Sequence, residues 1–132
     1  MKRVINCCYD FYHSIGKLFY AVAAIDGTIR QEEYKLFIEK LRSEFISKKG
    51  LKKEAIKEII YHFQNIYLEK PSPEESFQDF LNYKKKHSLL FTGPMKLAIW
   101  EVACTISEAV NHKNKSELIL LARLGKGLGV MK

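Results

Sequence analysis

The sequence predicts an all-α fold, a single helical domain of about six or seven helices, and three observations carry that prediction. Apolar residues recur at helical spacing along nearly the whole chain. No stretch alternates with the period of two that a half-buried strand requires. Three prolines and seven glycines among 132 residues leave little room for long irregular segments. The composition, 47% apolar and 28% charged, is that of a globular chain rather than a disordered one.

Each element has its own pattern. Val4, Cys8, Phe11, Ile15, Leu18, Val22 and Ile25 form one stripe, which predicts a first helix over residues 4–25. Ile29, Tyr34, Phe37, Leu41 and Phe45 mark a second helix that ends in "SKKG", where Gly50 is free to turn left-handed. Ile56, Ile59, Ile60, Phe63 and Tyr67 mark the third. In "EKPSPEESF" the chain stops and restarts: Ser72 caps a fourth helix, Pro73 suits its first position, and Glu75 completes a capping box. Phe77, Phe80 and Leu81 are its inward residues. "FTGPMKL" opens the fifth helix, Met95 to Val110, which is apolar nearly all round and so predicted to be the buried centre of the bundle, with Trp100 and Cys104 in the core. A sixth runs to about Lys126, and "GKGLG" is a helix cap followed by a tail.

Charge bounds the function. Twenty-two basic against fifteen acidic residues give +7, which invites an anionic partner. Many of these charges nevertheless sit where helix macrodipoles favour them, with Glu54, Glu74 and Glu75 near starts and Lys70, Lys84, Lys85, Lys86 and Lys126 near ends. The cluster Lys84–Lys86 is the candidate anion-binding site of an alternative reading, a basic helical nucleic-acid or anionic-surface binder. Three cysteines, two of them adjacent at Cys7 and Cys8, make no disulfide framework, and the first residues lack a signal-peptide apolar run. No transmembrane segment is expected, and a cytoplasmic location is. The four histidines show no pair at zinc-ligand spacing, His112 and Glu108 are a weak pair at a helix end, and no nucleophile–base pair can be assigned. An enzyme is not expected, nor a cofactor.

The stretch "AAIDGTIRQEEYKLF" holds the remaining chemistry. Asp26-Gly27-Thr28-Ile29 through Glu33 fits the second half of an EF-hand loop, but Val22 and Ala24 stand where its leading carboxylates belong. Asp26, Glu32 and Glu33 are therefore candidate ligands for a loosely held divalent ion at most. The structural account uses every residue: Gly27 takes positive φ, Ile29 plugs the corner into the core, and Thr28 with Gln31 caps the next helix.

"AVAAIDGTIRQEEYKLFIEKL" resembles the helix–Asp-Gly-turn–helix signature of the TerB-like family, which takes in tellurite-resistance proteins and the N-terminal domain of the co-chaperone DjlA. Ala23, Asp26, Gly27, Ile29, Glu33 and Leu36 match the pattern. "VACTISEAVNHKNKSELILLARLGKGLGV" looks like the family's second corner: a shift of 84 residues places Ile15 on Ile99, Leu18 on Val102, Gly27 on Asn111 and Phe37 on Leu121. Asn111 is then the second turn residue, while Asp26 falls on Val110, so a metal site built from both corners lacks its second aspartate. The resemblance implies a compact non-enzymatic module of stress-response and tellurite-resistance systems, with a role in metal sensing or in docking a partner protein near the membrane.

Overall fold

The computed structural model describes residues 2–25, 31–46, 53–110 and 115–130. Six α-helices fill them, α1 (Lys2–Ala24), α2 (Gln31–Ile46), α3 (Lys53–Glu69), α4 (Pro73–Lys86), α5 (Gly93–Val110) and α6 (Lys115–Leu128), with a 3₁₀ turn at Ser88–Leu90. No strand occurs among the described residues. The fold is all-α, as the periodicity predicts.

The helix ends follow from local hydrogen-bonding demands. Ser72 Oγ accepts from the Glu75 amide at 3.2 Å with Pro73 at the first helical position, so α4 starts where its capping sequence lies. Thr92 Oγ1 does the same for the Met95 amide at 3.3 Å, which begins α5 two residues before the sequence-based start. At the far end Gly129 adopts φ +75°, and the Val130 amide closes onto the Gly125 carbonyl at 3.1 Å. Only that last glycine of "GKGLG" is the cap; Gly125 and Gly127 lie inside α6. Lys70 ends α3 at φ 52°, a left-handed turn adopted by a residue with a Cβ.

One sequence-based expectation is reversed. The centre of the bundle is α1, not α5. Helix α1 packs on α3, α4, α5 and α6, and every residue from Leu18 to Ala24 is buried. Helix α5 buries Ala98, Ile99, Val102, Ala103, Ile106 and Ser107 against α1, α2 and α6, but its other side leaves Leu97 exposed and Trp100 and Cys104 half-buried. Composition explains the error: mean apolarity is high on both helices, but burial follows the faces left after neighbours pack, and α1 has more neighbours.

Five phenylalanines, Phe19, Phe37, Phe63, Phe77 and Phe80, are fully buried, each contributing about 1.5–3 kcal/mol of transfer free energy. Phe37 lies 4.1 Å centroid to centroid from Phe63, joining α2 to α3. Phe91, just after the 3₁₀ turn, lies 5.0 Å from Phe11 and 5.9 Å from Phe80, which pins the α4–α5 connection onto α1. Between α1 and α3 the approach is closer than side chains usually allow. A Cβ on Gly16 would meet His62 Cβ and the Phe63 amide nitrogen at 3.1 Å each, so α1 can lie this close to α3 because residue 16 has none.

Candidate functional site

The approach at Gly16 brings His13 of α1 beside His62 of α3. Their Nδ1 atoms are 3.2 Å apart, and the rings cross at 81°. One Nδ1–H must donate to the other, bare Nδ1, so the two rings cannot both be imidazolium while the bond stands. His62 is 1% exposed, and its Nε2 is buried with no hydrogen-bond partner. An unpaired buried N–H is the costlier orphan, so the favoured arrangement has His62 donating from Nδ1 with a bare Nε2, leaving the His13 Nε2–H free for the solvent side. Tyr9 covers the pair, its ring 4.5 Å from His62 at 89°.

Both imidazoles resist protonation. Burial, first, and then the neighbouring His13 lower the His62 pKa from 6.5 to about 4, against a small opposing pull from Asp10. His13 is lowered as well, by burial and then Lys17, opposed by Asp10, Glu69 and Asp79.

His13 also faces a groove of about 870 Å³ between α1 and α4. Asp10, His13, Ser14 and Lys17 supply the α1 wall. The other wall is the solvent side of α4 and its end, with Asp79, Asn82, Lys85, Lys86 and His87. Helical spacing explains the first wall: positions 10, 13, 14 and 17 fall on one face of α1, beside the Phe11, Ile15 and Leu18 stripe. Lys17 Nζ bonds Asp79 Oδ2 at 3.1 Å across the groove, tying the two walls together. Tyr83 stacks on His87 with centroids 4.4 Å apart and fixes the far end. The walls thus carry three lysines against two aspartates.

The sequence-based site residues distribute unevenly. Lys85 and Lys86 line the groove, whereas Lys84 is half-buried on the same helix and does not. Asp26, Gly27, Ile29 and Asn111 lie outside the described residues, as does the side chain of Glu33. Glu32 is exposed on the first turn of α2. Val22 and Ala24, which stand where an EF-hand has its leading carboxylates, are 1% and 6% exposed and packed in the core. Among the described residues no three His, Cys, Asp or Glu side chains gather closely enough to hold a metal ion. The side chains of Cys7, Cys8 and Glu108, and all of His112, are also outside the described set.

Sequence reasoning missed the His13–His62 pair because the residues are 49 apart and on different helices. A signal was present: His62 falls between Ile59, Ile60, Phe63 and Ile66 on the apolar stripe of α3, and a histidine on such a stripe needs a polar partner. The reduced side chain of Gly16, three residues after His13, marks where that partner approaches.

No helix among the described residues is long and apolar enough to cross a membrane. Compared with family models, curated proteins and solved structures, the chain matches none.

Proposed function

We propose that this protein is a non-enzymatic helical binding module of the TerB-like kind, cytoplasmic, acting in a stress response of the tellurite-resistance type, and that its α1–α4 groove seats a segment of a partner protein. The observation that carries the reading is the groove itself, about 870 Å³ and lined by charges of both signs on two rigid helices. From Asp10 to Lys17 the α1 wall runs for about 10 Å at 1.5 Å per residue, the length of three or four extended residues. A peptide can answer Lys85 and Lys86 with an acid and Asp10 with a base. A nucleic-acid backbone carries only negative charge, and the aspartates on both walls repel it. The family resemblance adds the module class and the pathway, and the paired burial of Ile15 with Ile99 and of Leu18 with Val102, all fully buried, supports the internal correspondence on which that resemblance partly rests.

The test is affinity capture from the source lysate with the full chain, comparing the parent with Asn82→Trp, which fills the groove, and Lys85→Glu, which reverses one wall. Lys57→Glu, on the exposed side of α3, is the control. Each variant is first checked for an unchanged melting temperature. Proteins retained by the parent and Lys57→Glu but lost from both groove variants support the reading; an identical set from all four chains refutes it.

A further inference from the structure

A second surface, which shares Lys85 and Lys86 with the groove, lies at the tip formed by the end of α4, the 3₁₀ turn and the start of α5. Leu89 is 96% exposed, the most exposed large apolar side chain among the described residues, and Leu90 and Leu97 are 37% and 48% exposed. Leu89 is not loose. Phe91, 3% exposed, clamps the turn between Phe11, Phe80 and Tyr83, and the Leu90 and Phe91 amides bond back to the His87 and Ser88 carbonyls at 2.9 and 3.1 Å. An anchored turn therefore holds leucine side chains out in solvent, where burial elsewhere would favour them.

Along the chain on either side of the knob, charge is of one sign. From Phe80 to Trp100 the chain has no aspartate or glutamate and four lysines, Lys84, Lys85, Lys86 and Lys96. The first three form the last turn of α4, immediately before the knob, and Lys96 lies in the first turns of α5, immediately after it. The α4 lysines also complement that helix's dipole, but dipole complementation does not explain exposed leucines between two basic stretches.

We propose that this tip docks on the surface of an anionic phospholipid bilayer, with Leu89 and Leu90 entering the acyl boundary and the flanking lysines among the headgroups. Charge complementarity selects the occupant. An exposed apolar turn between two basic stretches of chain matches a bilayer interface, apolar beneath and negative above. The attachment is peripheral. It does not rest on the groove reading, because neither Leu89 nor Leu90 lines the groove.

The experiment is co-sedimentation of the full chain with vesicles of phosphatidylcholine alone and of phosphatidylcholine with 30% phosphatidylglycerol, at low and physiological salt. We expect binding to the anionic vesicles only, weakening with salt. Leu89→Ser should lower the partition coefficient about tenfold or more, since the leucine no longer leaves water. Lys84→Gln, Lys85→Gln and Lys86→Gln combined should lower it about a hundredfold, at roughly fivefold per lysine. Asn82→Trp, in the groove, should leave it unchanged. Leu89→Ser touches no buried residue, so a folding defect does not confound it. The proposal is overturned by no sedimentation with either vesicle, by equal binding to neutral vesicles, or by anionic binding that Leu89→Ser does not move. Loss of vesicle binding with partner capture intact would remove this surface and leave the groove standing; the converse would do the opposite.

Discussion

The buried imidazole of His62 should make stability depend on pH in a window where carboxylates contribute little. In the unfolded chain His62 titrates near 6.5, and in the folded protein near 4. Between those values the unfolded state binds the extra proton, so stability is complete above about pH 6.5, falls as pH drops, and stops falling below about 4. At about 1.4 kcal/mol per unit, the difference sets a ceiling of about 3 kcal/mol. His13 links the pair to the open groove, and solvent screening from that side reduces the expected loss to about 1–2 kcal/mol. His13 is lowered too and acts with the same sign. The groups facing the pair are Asp10 and Lys17 on α1, Glu69 on α3 and Asp79 on α4; the carboxylates favour protonation of His13 and the lysine opposes it. Urea denaturation of the parent and of His62→Phe, followed by circular dichroism from pH 7.5 to 4.5, isolates the term. Phenylalanine keeps the ring beside Tyr9 and cannot titrate. The parent should lose about 1–2 kcal/mol more than the variant across the window. Parallel curves would mean that folded His62 takes up its proton as easily as the unfolded chain does, and the reasoning from burial would fail.

Four further outcomes follow from particular contacts. Gly16→Ala should destabilise by about 1–3 kcal/mol in chemical denaturation despite alanine's better helix propensity, because its Cβ meets the His62 Cβ and a backbone nitrogen that cannot turn aside. Gly127→Ala should change stability by less than about 1 kcal/mol in the same assay, since the only close atom, Leu81 Cδ2 at 2.8 Å, is the end of a rotatable side chain and the helix gains propensity. Lys70→Gly should raise the melting temperature, with relief of about 1 kcal/mol from a left-handed residue bearing a Cβ. Calorimetric titration of the protein with calcium and zinc should give no saturable heat near micromolar concentrations at the Asp26 corner; such heat, abolished by Asp26→Asn, would make the corner a metal site after all.

Local signals were legible wherever one element determined the outcome. Ser72 and Pro73 announce the start of α4, and the Asp-Gly corner separates two predicted helices that the structure also separates. The apolar stripes name Phe37, Leu41, Ile59, Phe63, Phe77 and Phe80, all fully buried. What stayed hidden depends on which elements meet. Nothing in α5 alone reveals that α1 has more neighbours, and no spacing rule joins His13 to His62. The lysine run was visible, yet its division was not: only the path of α4 past α1 sends Lys85 and Lys86 into the groove while Lys84 stays outside it. Leu89 illustrates the opposite limit. In the run Leu89, Leu90, Phe91 only the fold shows that Phe91 takes the core place while Leu89 points to water.

Lys85 and Lys86 stand at the junction of two surfaces, and this has a thermodynamic consequence. They form part of the groove wall, and they belong to the basic turn before the exposed leucines. A cationic side chain drawn toward headgroup phosphates is not available to an acidic residue in the groove, so lipid and peptide compete for the same charges even though Leu89 and His13 serve only one each. The coupling is reciprocal: anionic vesicles should weaken an acidic groove ligand by the same factor as that ligand weakens vesicle binding. Leu89→Ser should abolish the competition by removing lipid attachment, with groove affinity in free solution unchanged. Competition that persists at full strength in Leu89→Ser would place the lipid in the groove itself, and the two surfaces would then be one.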